Sequence, residues 1–354
     1  MIMRCSDRGF TLIEMLVVVA LLAIIMIGLL NLLDTSSKIS VVETSLADTQ
    51  ENVRFAAYHI MRTARMMGSS AMPFAANIGG ADRWLAGQLT SNVSGGSATT
   101  PFNSVPAAEG SDVLTLRGMF EIAPFFCERS DVGSGVITIR ESDGGNVINE
   151  NFNLVDVNGL EGRGLFFMGR MDQGEYAVGQ ITDSSAITGT APNRILAINF
   201  GTGTAQWSNL NPAGISVTPV PFDVYRVGVL ETYTYYVDPD GLTLMRERAN
   251  SNGSGAQSEP VAVNIGSLQV ALGVDTNNDN QVDAWMPAPT VAQIAGNRVI
   301  GMRITVLGRT AREVPDWIEP AATFAVEDMD PDDVDRFAKW RRIEVAAALR
   351  NYLF

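Results

Sequence analysis

The chain has 354 residues, a formal net charge of −14 and a sequence pI near 4.5. Lys38 and Lys339 are its only lysines, and an acidic surface of this kind repels polyanions, which excludes nucleic-acid binding over the body. One histidine, His59, and two cysteines, Cys5 and Cys127, exclude most zinc sites and most Ser-His or Cys-His catalytic schemes.

The first element is an apolar run. From Met15 to Leu33 only Gly28 and Asn31 interrupt an aliphatic sequence. These nineteen residues, at about 1.5 Å each, predict a rod of roughly 28 Å, the depth of a bilayer's hydrocarbon core. Phe10 to Ile13 extend it. Glu14 stands one turn inside, where a charge at mid-bilayer costs on the order of 2.5–3.5 kcal/mol and less near an end. An acid in that place needs a partner. A cleavable signal peptide is a poorer description, because its apolar region is shorter and Glu14 has no role in it.

The helix is expected to continue. Asp34 to Met67 contains neither Pro nor Gly, and Val42, Leu46, Val53, Ala56, Ala57, Ile60, Ala64 and Met67 make one apolar stripe at steps of three and four. Gly68 is a natural stop. His59 sits beside the stripe and reads as a helix-face imidazole near a sheet. Residues 68–110 are rich in Gly, Ser, Ala, Asn and Pro, and Gly87 to Ser111 reads as a long surface loop. The triplets at Asn92 and Asn252 read as ordinary loop polarity.

From 111 onward the pattern is β. Asp112–Arg117, Gly135–Arg140 and Arg194–Phe200 carry β-branched runs bounded by Gly, Asp or Ser. Val224 to Val237 is a long aromatic strand, Asp238-Pro-Asp-Gly241 is a tight turn, and Leu242 to Arg248 runs back as a hairpin. Ser251 to Ser258 reads as a flexible loop. Val261–Val274, Arg298–Arg309 and Trp340–Tyr352 supply the last elements, and the final one reads as strand or helix. Cys127, flanked by Phe126 and Glu128, reads as a small buried residue.

One loop has metal-ligand spacing. Asp275, Asn277, Asp279 and Asp283 place oxygens at positions 1, 3, 5 and 9 of an EF-hand-like loop, and Gln281 can lend its backbone carbonyl at position 7. Asn280 stands where glycine belongs, and Met286 where the bidentate glutamate belongs. Calcium is the cation this loop is expected to take; a polar β-turn is the alternative. The acid run Glu327–Asp335 reads as a solvated face. No nucleophile elbow, zinc helix, phosphate loop or Cys-x-x-Cys is present, so no enzyme is expected.

Arg8-Gly9-Phe10-Thr11-Leu12-Ile13-Glu14 followed by an apolar helix resembles the type IV pilin N-terminus at every position. The resemblance implies cleavage between Gly9 and Phe10 by a prepilin peptidase and N-methylation of Phe10. It also implies that Glu14 neutralises the N-terminal amine of a neighbouring subunit. Two charges buried together are tolerable where either alone is costly. Arg4 and Arg8 fit retention of the N-terminus in the cytoplasm. The implied place is the bacterial inner membrane, with the head in the periplasm and then on a fibre or its tip.

The second half resembles the PilW-type minor pilins, through Tyr233–Val237, Gly241–Arg246, Val261–Leu268, Gly273–Asp279 with Asp283, Val299–Arg309 and Arg341-Arg342 through Asn351. This resemblance favours a strand for the last element. Its function would be to start pilus assembly or sit at the tip, with other minor pilins, the major pilin, the inner-membrane machinery and membrane lipid as partners. A J-type pseudopilin of type II secretion and a tip adhesin are the alternatives. The expected class is α+β: a long helix, half membrane and half amphipathic, on an antiparallel β-rich head with long loops. The expected divisions are a leader 1–9, a membrane and polymerisation helix 10–33, its amphipathic half 34–67, a connector 68–110 and a head 111–354, of which 230–354 is the PilW-like part. Loss of the leader removes two arginines and one aspartate, leaving −15, and leaves Cys127 without a disulfide partner.

Overall fold

A computed structural model describes residues 11–69, 83–84, 86–91, 100, 105–127, 135–150, 152, 160–170, 175–182, 186–203, 205–212, 215–239, 242–248, 257–287, 289, 293, 298–314, 317–327, 329 and 336–349. It divides into two compact units, residues 1–48 and 49–354.

The first unit is the leading part of helix α1, Leu12–Met66. Its most apolar 18-residue window has a mean hydropathy of 3.0 and no buried residue. Leu16, Leu22, Ile25 and Leu29 are each half exposed or more. Such a surface is stable only when lipid or another protein covers it.

The second unit begins with the rest of α1. Thr49, Val53, Ala56, Ala57, Ile60, Met61, Thr63 and Ala64 are buried, so the expected stripe faces inward. Chain order then gives β1 (Arg83–Trp84), β2 (Gly87–Thr90), β3 (Val113–Gly118), β4 (Phe125–Phe126), β5 (Val136–Arg140), β6 (Ser142–Asp143), β7 (Asn146–Val147), β8 (Gly164–Met168), β9 (Tyr176–Ile181), β10 (Ala186–Thr188) and β11 (Ile195–Gly201). After the short α2 (Ala205–Ser208) come β12 (Arg226–Asp238), β13 (Thr243–Arg248), β14 (Gln257–Val263), β15 (Ile265–Asp275), β16 (Ala284–Met286), β17 (Arg298–Arg309) and β18 (Trp340–Ala348).

The pairing is antiparallel throughout. One twelve-stranded sheet runs β1-β2-β3-β12-β8-β9-β11-β10, with β13, β14, β4 and β5 off that path. A four-stranded sheet runs β16-β15-β17-β18, and β6 with β7 makes a small ribbon. β12 belongs to two neighbourhoods: residues 226–230 pair with β8, and residues 231–238 pair with β3 and β13.

The two largest hydrophobic cores meet across β8, whose Phe166 and Met168 belong to one and Leu165 and Phe167 to the other. One gathers Val53, Ala57 and Ile60 of α1 with Leu114, Tyr235, Leu268, Val270, Met302 and Ile304. The other gathers Phe125, Ile139, Leu165, Phe167, Ile198, Phe200 and Val227 from the middle of the chain. At the changeover, Glu231 is buried with four donors around it. Its Oε2 accepts the backbone N–H groups of Phe120 (3.0 Å) and Glu121 (2.9 Å). Its Oε1 accepts Arg163 (3.1 Å) and Arg248 (3.3 Å). Burial and then the neighbouring Glu121 carboxylate push Glu231 up to about 8, while Arg163 and Arg248 pull it down.

The structure corrects two expectations and decides a third in favour of the strand that the resemblance implied. Gly87–Thr90, read as loop, is strand β2, because Leu89 is buried and the segment pairs with β3. The single element Val261–Val274 is two strands, broken at Asn264, whose φ of +61° turns the chain. The last element is the strand β18 and not a helix, held in register along β17 from Arg309↔Trp340 to Gly301↔Ala348. The head is β-rich and antiparallel with α1 packed on it, so the α+β class stands.

Candidate assembly site and polar loop

Gly9 and Phe10 lie outside the described residues. Glu14 is in the first turn of α1. Thr11 N–H and Thr11 Oγ1 donate to Glu14 Oε2 at 2.9 and 2.8 Å, and Glu14 N–H donates to Thr11 Oγ1 at 3.3 Å. This is a reciprocal capping box, with Thr11 as the cap and Glu14 three residues on. Thr11-x-x-Glu14 carries that signature in the sequence, and the reading of Glu14 as an assembly acid passed over it. The carboxylate satisfies an orphan N–H at the helix start, worth about 0.5–2 kcal/mol for a cap of this kind. Its Oε1 has no hydrogen-bond partner among the described residues.

The Asp275–Asp283 loop joins β15 to β16. Asp275 is 1 % exposed at the end of β15, and its Oδ1 accepts the N–H groups of Asn277 (3.2 Å) and Asn278 (2.7 Å). Its Oδ2 accepts the N–H of Asn280 (3.0 Å). Asn277 Oδ1 accepts Asp279 N–H, and Asp279 Oδ1 accepts Gln281 N–H. Asn278 and Asn280 have φ of +64° and +63°, a region that asparagine tolerates better than most residues. Thr276 donates its N–H and Oγ1 to Asp283 Oδ2 at 2.8 and 2.6 Å, and these bonds hold the Asp283 carboxyl below the usual range.

Residues 1, 3, 5 and 9 of the expected ligand set are therefore on one tight turn, and Asn280 takes the left-handed place. The loop also closes on its own donors. Asn277 Nδ2 faces Asp279 Oδ2 (3.3 Å) and Asp283 Oδ1 (3.4 Å). Among the described residues no three acidic, histidine or cysteine side chains converge at metal-holding distance. Met286 lies in β16, paired with Leu272, and brings no oxygen from its side chain.

His59 lies against the sheet. Its Nδ1 is 3.3 Å from Tyr235 Oη, and Tyr235 Oη also meets Thr63 Oγ1 at 2.9 Å. Burial lowers the His59 pKa, and Arg246 lowers it further. Cys127 is half-buried rather than fully buried, with Sγ 3.9 Å from the Val224 carbonyl.

The known families add what geometry alone does not. Residues 234–351 match the family model of the Type IV Pilus-assembly protein W, and residues 4–30 match the Prokaryotic N-terminal methylation motif. No curated protein and no solved structure matches the chain. The methylation motif covers the capping box and the apolar helix, and the other match runs from β12 through β18. The chain thus joins a prepilin-type N-terminus, over residues 4–30, to a PilW-like segment, over residues 234–351.

Proposed function

We propose that this chain is a minor pilin that helps to start assembly of a type IV pilus or sits at its tip. On this reading prepilin peptidase cuts between Gly9 and Phe10 and methylates Phe10. The chain is then held in the inner membrane by α1, with its N-terminus in the cytoplasm and its head in the periplasm. Other minor pilins, the major pilin and the assembly machinery are its partners. The observation that carries the reading is Glu14: the one charged residue between Thr11 and Leu33, with one oxygen on its own cap and the other open to a neighbour's N-terminal amine.

Two strains test it. Deletion of the gene is expected to abolish fibres. Glu14→Ala is expected to leave a folded head and a membrane-bound chain that is not incorporated into fibres. Normal incorporation of Glu14→Ala would remove the pairing role. Fibres that persist after deletion but fail to attach would favour an adhesin, and a secretion defect without a fibre defect would favour a J-type pseudopilin.

The Asp275–Asp283 loop carries a second reading, that it takes calcium. Asp279, Asp283, Asn277 and the Gln281 carbonyl supply the hard oxygens that calcium prefers, and the left-handed Asn280 with its N–H on Asp275 favours it. Titration of the full chain in detergent with calcium is expected to give heat and a higher Tm. Absence of both effects would remove the calcium reading.

A further inference from the structure

Among the described residues the four-stranded sheet ends at β18, whose far side pairs with no strand. Leu349 N–H donates to the Ile300 carbonyl, which fixes the phase of the ladder. In an antiparallel pair, alternate residues bond inward and the others outward. The odd-numbered residues of β18 therefore bond to β17, and Arg342, Glu344, Ala346 and Ala348 present their N–H and C=O groups to the other side. Among the described residues those four outward pairs have no partner. The edge has a defined start: Trp340 N–H is capped by Glu319 Oε2 at 3.2 Å, and its carbonyl by Arg341 Nη1 at 3.1 Å. The usual guards of an exposed edge are charged side chains, proline, a bulge or a covering segment. Of these β18 has, among the described residues, only charges, including Arg342 and Glu344 of opposite sign. β18 contains no proline, and its register along β17 has no shift.

β14, an edge of the twelve-stranded sheet, is built differently. It carries Pro260, and its pairing with β13 shifts register. β18 has neither device.

We infer that β18 is a docking edge that takes an extended strand of a different prepilin subunit as the fifth strand of this sheet. The inference rests on the assembly role proposed above. Main-chain bonds would supply affinity and side chains specificity, as in strand addition generally. The exposed face of the free edge reads Arg342, Glu344, Ala346, Ala348. Its complement carries an acid opposite Arg342, a base opposite Glu344 and room for side chains over the two alanines. Opposite charges facing across strands favour the pair, and like charges disfavour it.

A second copy of β18 satisfies the charges in an antiparallel register, yet its geometry is wrong. The dyad of such a pair is normal to the sheet. Thr49–Met66 lies along the sheet face, with Val53 against Gly308, Thr63 on Tyr235 and Met66 beside Gly118. That dyad would run the two Thr49–Met66 segments in opposite directions. Two chains inserted the same way in one membrane do not meet so.

Proline makes the test selective, because it removes one N–H and leaves the ladder intact only where that N–H points outward. In the full chain in its own cells, Ala346→Pro is expected to keep the head's Tm within a few degrees of wild type and to abolish fibres. Ala347→Pro removes an inward N–H and is the control that unfolds. A photo-crosslinking amino acid at position 344 is expected to give an adduct with a strand of another prepilin, identified by mass spectrometry, and Ala346→Pro is expected to lose it. Wild-type fibres and adduct from Ala346→Pro would overturn the inference, as would an adduct at 344 of a second copy or none with any subunit. If gene deletion leaves fibres intact the assembly reading fails, while the adduct still judges the edge.

Discussion

Two residues in the head carry consequences that their types alone do not announce. His59 has a folded-state pKa below its unfolded one, because burial, Arg246 and Arg62 disfavour its charged form while Glu259 acts the other way. The unfolded chain then binds the extra proton more readily. Stability is full above about pH 6.5, the ordinary histidine value, and falls as pH drops below it. Thermal melts from pH 7.5 to 5 are expected to show this loss, and His59→Gln is expected to flatten that part of the profile. Glu231 is the costlier residue to remove. Glu231→Ala takes the acceptor from two backbone N–H groups and leaves Arg163 and Arg248 with Glu121 alone, and buried donors left unmet cost about 1–3 kcal/mol. Chemical denaturation should show it. A loss under 1 kcal/mol would mean that water enters the site freely.

At the scale of elements, α1 and its contact with β17 show what the sequence made legible. The steps of three and four from Val53 to Ala64 predicted the buried stripe, and the structure buries it. What the periodicity does not reveal is how close the helix comes. A Cβ on Gly308 would stand 2.2 Å from Val53 Cγ2 and 3.0 Å from Thr49 Cγ2. Gly308→Ala is therefore expected to destabilise by about 1–3 kcal/mol through overpacking, read as a lower denaturation midpoint. The Asp238-Pro-Asp-Gly241 hairpin was also legible, since β12 and β13 pair from Tyr233↔Arg248 to Asp238↔Thr243. Strand β8 was not. Gly164–Met168 is buried at every position, and a strand covered on both faces has no polar alternation to betray it. The Asp275 loop was legible as oxygen spacing, but its closure on its own N–H groups depends on backbone angles at Asn278 and Asn280 that residue names leave open.

At the scale of the molecule, the middle of the chain has its own core yet borrows a strand. Phe125, Phe167 and Phe200 pack with Val227 and Val229 of β12, whose later residues Tyr235 and Val237 belong to the other core. Residues 49–349 are accordingly expected to unfold in one calorimetric transition. Two separate peaks would show that the shared strand does not couple the cores. This arrangement was the least legible part, because the PilW-type resemblance covers only 230–354 and no short pattern marks a strand that changes neighbours midway.

The thirteen residues of β12 also decide how the head answers a mechanical pull. In the fibre role proposed above, a subunit is held at one place and tugged at another, so force crosses its interior. Tension applied along β12 meets ladders on both flanks, to β8 and β4 near its start and to β3 and β13 further on. Those bonds lie across the strand and must shear together, whereas the one-sided ladder of β18 can be peeled one pair at a time. Under load the head should give way at its rim long before its spine.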